Sequence, residues 1–333
     1  QHCFLDSLPY CGEQDCASPT DMFKSLAACI GLFVTLPGLS CALYAQEQPP
    51  YIYVLGVAQD AGYPQAGCYD PHCLPGWEDL SLRRGATSIA VIDSTAGQKF
   101  LFEATPNLSE QLFTLQTIAP DSSFELTGVF LTHAHIGHYA GLMFFGHEAM
   151  NASSIPVYAM PRMQQFLANN GPWSQLLSLE NIKLFQLQDR STQQFENVDV
   201  TPFLVPHRDE YSETVGYRIE GPNKTAVFIP DINKWSAWNT DIAELIESVD
   251  YALLDATFYA DGELGNRDMS QIPHPFVVES MELFADLSSE NKNKVWFIHF
   301  NHSNPLLNEN SDESAIVSSR GFNIAREAVK LPL

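Results

Sequence analysis

A chain of 333 residues is long enough for one large α/β unit with a deep core. Apolar residues make up 45% of it and charged residues 17%, with 21 Phe and 12 Tyr, which excludes wholesale disorder. Only 17 Lys and Arg stand against 40 Asp and Glu, and the formal charge of -23 excludes nucleic acid or a membrane surface as a primary partner.

In chain order, residues 1–21 show no periodic apolar pattern and read as an upstream extension. Met22 and Lys24, the apolar run 26–36, Pro37-Gly38 and the small residues around Cys41 then have the build of a secretory signal peptide over 22–45, with cleavage after Ala42 or Ala45. The run is short for a bilayer span, and Gly38 stands where a lipidated Cys41 would want a large aliphatic residue. The expected product is periplasmic or secreted, makes no stable membrane association after cleavage, and acts on a small molecule. Removing the leader leaves Cys68 and Cys73. Their spacing in GCYDPHC suits either one local disulfide or two ligands of a structural zinc, with Asp70 and His72 between them as helpers.

From Tyr51 the apolar, β-branched runs YIYVLGVA, TSIAVID (87–93) and KFLFEA (99–104) predict consecutive strands. A helix follows at 108–116, then a strand ending at Thr132. Further strands are predicted at 156–160, 200–206, 215–221, 225–231, 251–258 and 294–300, with helices at 161–170 and 275–287. Strands in both halves with helices between them point to an αββα sandwich of two mixed sheets flanked by helices, forming one domain over 51–333.

LTHAHIGHYAGL places His133, His135 and His138 within six positions at a strand-to-helix junction. Neutral imidazoles suit zinc and related divalent ions, and a catalytic site needs about three protein ligands and an open position. His207, Asp231, Asp255 and His299 each follow a short apolar run, so all four belong at strand ends. For any one of them a cap or a hydrogen-bonded core residue is the plainer reading; four placed alike make coincidence the weaker account. Tyr139, Phe144, Phe145, Tyr211, Trp235, Phe258 and Tyr259 lie near these motifs and read more readily as core than as substrate wall. Arg83, Arg84 and Arg208 are the nearby cations, and solvated surface is the plainer reading of each.

These residues resemble the metallo-β-lactamase superfamily: LTHAHIGHYAGL is similar to its H-x-H-x-D-H signature, and His207, Asp231 and His299 fall where its later ligands stand. GVAQDAGYPQAGC, RRGATSIAVI, LLDATFYADGEL and FIHFNHSNPLL resemble the pyrroloquinoline-quinone biosynthesis protein B branch, with a further likeness to the cyclic phosphodiesterases of phosphonate breakdown. The resemblance implies a first metal on His133, His135 and His207, a second on His138 and His299, and Asp231 bridging. It implies zinc, one or two ions, with iron or manganese as alternatives. It also implies a structural zinc on Cys68, Asp70 or His72, Cys73 and His302. Gly137 stands where the signature has its aspartate, so the second ion is expected to bind weakly unless Asp255 or water substitutes, and Gly137→Asp is expected to tighten it. The biosynthesis branch loses the first histidines and keeps that aspartate, the opposite departure. The implied chemistry is hydrolysis of a small ester, lactone, amide or phosphodiester, with Asp231 or Asp255 orienting water. Alternatives are an oxidase or hydroxylase acting on a quinone precursor and a non-catalytic metal-binding protein. His274 lines the pocket or caps a turn.

Overall fold

The computed structural model describes residues 49–120, 125–265 and 267–333; the leader and the upstream extension lie outside the described residues. Its strands are β1 (Tyr51–Gly56), β2 (Ser88–Asp93), β3 (Gln98–Phe102), β4 (Glu125–Phe130), β5 (Ile155–Ala159), β6 (Ile182–Gln186), β7 (Gln193–Gln194), β8 (Asp199–Leu204), β9 (Val215–Glu220), β10 (Thr225–Ile229), β11 (Tyr251–Asp255), β12 (Val295–Ile298), β13 (Asn323–Ile324) and β14 (Lys330–Pro332). They form two seven-stranded sheets, ordered β14-β1-β2-β3-β4-β5-β6 and β13-β12-β11-β10-β9-β8-β7. Both are mixed: β3 to β6 run parallel in the first, and β10 to β13 in the second. The sequence pattern located the long strands and missed β6 and the short edge strands, whose few residues carry little periodicity.

Side-chain alternation decides which face each residue serves. Ile52, Val54, Val91, Phe100, Phe102 and Phe130 point between the sheets and meet Tyr217 and Phe228 of the second sheet. Tyr51, Tyr53, Leu101 and Val129 point outward, against the helix Leu108–Ile118 through Leu108 and Leu115. The second sheet is covered outside by helices Ile242–Glu247, Val277–Leu283 and Asp312–Ser319. The result is the αββα sandwich that the strand and helix order predicts. No helix among the described residues is long and apolar enough to cross a membrane.

An aromatic seam joins the sheets. Phe102 meets Tyr217 edge-on with centroids 5.3 Å apart, and Phe130 stacks on Tyr158 at 4.6 Å. The Tyr217 hydroxyl donates to the Leu131 carbonyl at 2.5 Å, and the Val215 amide donates to the Thr132 carbonyl at 3.2 Å. Burial, with Glu103 nearby, pushes the Tyr217 phenol well above its usual range, so it stays a donor. These two bonds fix the stretch just before His133 against the opposite sheet. Tyr217→Phe leaves a buried carbonyl unpaired, and urea unfolding should show a loss of about 1–3 kcal/mol.

Candidate metal centre

The parallel strands β10, β11 and β12 deliver residues to one edge of the second sheet. Asp231 lies just beyond β10, Asp255 closes β11, and His299 follows β12. From the first sheet, the segment after β4 brings His133 and His135 and then the short helix Ile136–Tyr139, which carries His138. His207 arrives from the turn after β8.

Three imidazoles converge. His133 Nε2 lies 2.8 Å from His135 Nδ1, and His207 Nε2 lies 3.3 Å from that same Nδ1. Asp231 Oδ2 is 3.3 Å from both His133 Nε2 and His207 Nε2, and 4.0 Å from His135 Nδ1. Zn–N bonds near 2.05 Å in a tetrahedron put ligand atoms about 3.3 Å apart, so this is the spacing a zinc ion would need. On the other side, His138 Nε2 stands 3.7 Å from Asp231 Oδ2, and His138, Asp231 and His299 form a second group of donors within 4.8 Å of one another. Asp231 belongs to both groups, as expected of a bridging carboxylate.

The donors fit a metal on their own chemistry. The Nε2 atoms of His138 and His299 are buried and have no hydrogen-bond partner, a costly state that a cation would relieve. Three of the opposite ring nitrogens are held: the Thr132 hydroxyl touches His133 Nδ1 at 2.9 Å, Glu210 Oε2 meets His135 Nε2 at 3.0 Å, and Thr257 Oγ1 meets His299 Nδ1 at 3.0 Å, while Glu103 Oε1 lies 3.3 Å from His138 Nδ1 without a hydrogen bond and His207 Nδ1 has no partner. Such partners orient ligating imidazoles. Burial, reinforced by His138, holds His133 well below the usual histidine range, and burial lowers His299 to about 4, so both rings stay neutral and able to ligate.

Asp255 forms a further donor group with Asp231 and His274, all within 4.8 Å of one another, but its oxygens already have protein partners. It is fully buried and accepts from the Ile232 amide at 3.0 Å, the Thr257 amide at 2.8 Å and the Thr257 hydroxyl at 2.7 Å. Its remaining partner is His274 Nδ1 at 2.9 Å, which also lies 3.1 Å from Asp231 Oδ1. Asp255 therefore positions the backbone beside Asp231 and clamps His274 between two carboxylates. Burial opposes charge on His274, but Asp255 and Asp231 outweigh it and raise the ring to about 10. His274 thus belongs to the site's wall, one of the two places its sequence allowed. Glu103, Glu210 and Thr257 went unread. Glu103 alone carried a signal, a carboxylate straight after the apolar run KFLF.

The expected gain from Gly137→Asp is overturned. A Cβ at 137 would lie 2.5 Å from Asp60 Cα and 3.0 Å from its carbonyl oxygen, so backbone already fills that space. The nearby aromatics divide as expected for core. Tyr139, Phe145, Trp235 and Phe258 are buried, whereas Tyr211 is 61% exposed beside Glu210. Arg83 lies over the Trp77 ring, and Arg84 bonds the carbonyls of Ser81 and Arg83.

At the cysteines, Cys68 and Cys73 are joined as a disulfide. His72 Nε2 lies 3.5 Å from Cys68 Sγ and 3.1 Å from His302 Nδ1, which is 3.5 Å from Cys73 Sγ. These four make the donor group; Asp70 is exposed and outside it, because the turn points His72 at His302 instead. Thiol reduction should let the four donors take up one zinc equivalent that the oxidised protein does not, and metal analysis of reduced His302→Ala protein should show that equivalent lost.

A family model described as beta-lactamase superfamily domain matches residues 98–300. The chain belongs to this superfamily. Coenzyme PQQ synthesis protein B of Methylobacterium sp. (strain 4-46) is 24% identical over 303 residues, covering 84% of this chain and 99% of the relative. Zn(2+)-bound PqqB from Methylobacterium extorquens superposes with a TM-score of 0.70 at 23% identity, over 85% of this chain and all of that one. A diphosphatase of the PhnP family superposes with a TM-score of 0.59 at 19% identity, over 86% of this chain and 97% of that one. At these identities the superpositions establish the metallo-β-lactamase fold.

Proposed function

We propose that this protein is a metal-dependent hydrolase of a small ester, lactone, amide or phosphodiester. One observation carries the reading: His133 Nε2, His135 Nδ1, His207 Nε2 and Asp231 Oδ2 converge, with His135 and Glu210 partly exposed beside them. Held by these residues, a divalent ion such as zinc would supply Lewis acidity, which lowers the pKa of bound water from about 16 to about 7 and polarises a carbonyl or phosphoryl oxygen.

The chain's own groups do the remainder. Burial opposes ionisation of Asp231, but His207 and His274 outweigh it and hold the carboxylate well below its ordinary range, so Asp231 serves as a ligand rather than a proton carrier. Glu210 is half-exposed on the rim and is the carboxylate placed to pass a proton to solvent, while its contact with His135 Nε2 fixes that ring. His274, held charged between Asp231 and Asp255, keeps the Asp231 side chain from turning away. Removing the metal with a chelator should abolish hydrolysis across an ester, lactone and phosphodiester panel, and zinc should restore it. His207→Ala should lower kcat at least a hundredfold; near-wild-type turnover in that variant would refute the reading.

A second reading draws on the relatives named Coenzyme PQQ synthesis protein B, which match along 84–85% of this chain. It makes the centre an iron-dependent oxidase or hydroxylase of a quinone precursor. Dioxygen consumption and bound iron in the purified protein would favour it over hydrolysis. Export belongs to the same proposal, resting on the leader pattern at 22–45. Intact-mass measurement of the exported protein should find the chain shortened by about forty residues.

A further inference from the structure

We propose, on the hydrolase reading above, that Tyr211 selects the substrate of the metal centre by stacking on a flat conjugated ring carried beside the bond to be cleaved.

Position singles this residue out. Lone apolar side chains at a surface are ordinary, but Tyr211 is 61% exposed directly after Glu210, and Ile136 is 60% exposed directly after His135. Glu210 Oε2 meets His135 Nε2 at 3.0 Å, so one polar contact brings both residues to the same edge of the donor group. Along that line of contacts, only one carboxylate and one imidazole lie between Tyr211 and the place where His133, His135, His207 and Asp231 converge.

The ring is also held in place. Phe166, on the helix Pro161–Asn169, packs against it with centroids 5.3 Å apart and planes at 34°, and Phe166 in turn meets Tyr139 at 5.4 Å and Trp173 at 5.5 Å. Tyr139 closes the short helix that carries His138, so aromatic contact runs unbroken from that helix out to Tyr211. Hydrogen bonds pin the loop on both sides of the ring. The Ser212 hydroxyl accepts from the Ala134 amide at 2.8 Å, the Arg162 amide donates to the Glu213 carboxylate at 3.0 Å, and the Arg162 guanidinium donates to the Asp209 carbonyl at 2.9 Å. A ring fixed before its ligand arrives gives up little freedom on binding.

An exposed aromatic face suits a flat ring or a cation. Cations are best met by several faces at once, and here Phe166, Trp173 and Tyr139 are taken up with one another. The nearest carboxylate, Glu210, is already engaged by His135. Tyr211 thus offers a single face backed by Phe166, which matches a planar π-system in offset contact.

Calorimetry on zinc-loaded, disulfide-intact protein tests this with benzylphosphonate and hexylphosphonate, which share a metal-binding head and differ in bearing a ring or a chain. Wild type should bind the ring about fivefold more tightly than the chain. Tyr211→Ala should erase that preference and Tyr211→Phe should keep it. Phe113→Ala, which removes a 75% exposed ring from the helix Leu108–Ile118, should keep it as well. Equal affinity of wild type for the two phosphonates would overturn the proposal, as would a ring preference that survives Tyr211→Ala or is lost in Tyr211→Phe. Failure of both phosphonates to bind would overturn the metal-centre reading itself, a result distinct from binding without preference.

Discussion

The centre is organised around a carboxylate that folding removes from water. Asp231 is almost completely buried, and an isolated charge there would cost several kcal/mol. Five imidazoles and His274 surround it, and they do not all answer in the same way. His274 takes a proton and lies against Asp231 Oδ1, whereas burial keeps His133 neutral with its Nε2 toward Oδ2. One oxygen thus meets a charged imidazolium, and the other meets the imidazoles of the candidate ligand set. That division makes the pocket receptive to a cation: the protein supplies lone pairs on one side of the carboxylate and balances only the far side itself.

Two sheets must agree in register for this to happen. The donors of the second sheet come from parallel neighbours that end together, as open parallel sheets usually collect their sites. His133 and His135 come from the other sheet, across the core. Tyr217 settles the registration, because its ring fills the aromatic seam while its hydroxyl bonds Leu131, two residues before His133. Glu103 and His299, both beside His138, have φ of 77° and 70°, uncommon for residues with side chains.

The donors of the first group were legible because each follows an apolar run that stops at the core's edge, and a hydrophilic residue there has one place to go. The same rule says less of Asp255. A strand-end carboxylate looks alike in sequence whether it turns to a cation or, as here, to the amides of Ile232 and Thr257. Asp70 and His72 illustrate another limit, since both lie between the cysteines and only the sense of the turn decides which points at His302. The placement of Glu103 and Asp60 beside the His138 helix was beyond reach for a third reason. Their nearness to His138 arises from β3 pairing with β4 and from the backbone bonds between the loop after β1 and Phe300, contacts that span tens to hundreds of residues.

Gly137 was legible as a departure from the signature, but its cause was not, and the difference matters for function. Read alone, the glycine removes a ligand and argues for a weakened or abandoned second site. In the fold it is an opening through which another segment approaches, and at 2.5 Å the backbone of Asp60 leaves no room for any side chain at 137. A damaged site has no need to preserve the rest of its architecture, yet His138, His299 and Asp231 remain converged, with Thr257 holding the distal nitrogen of His299 and Glu103 lying 3.3 Å from that of His138. That convergence weighs against the loss of catalysis that the missing aspartate alone would suggest. The relatives named for PQQ synthesis share the scaffold along most of its length, but the scaffold does not choose the chemistry. The donor set does, and here it is a complete histidine triad with a buried bridging carboxylate, suited to holding a hard or borderline divalent ion near water.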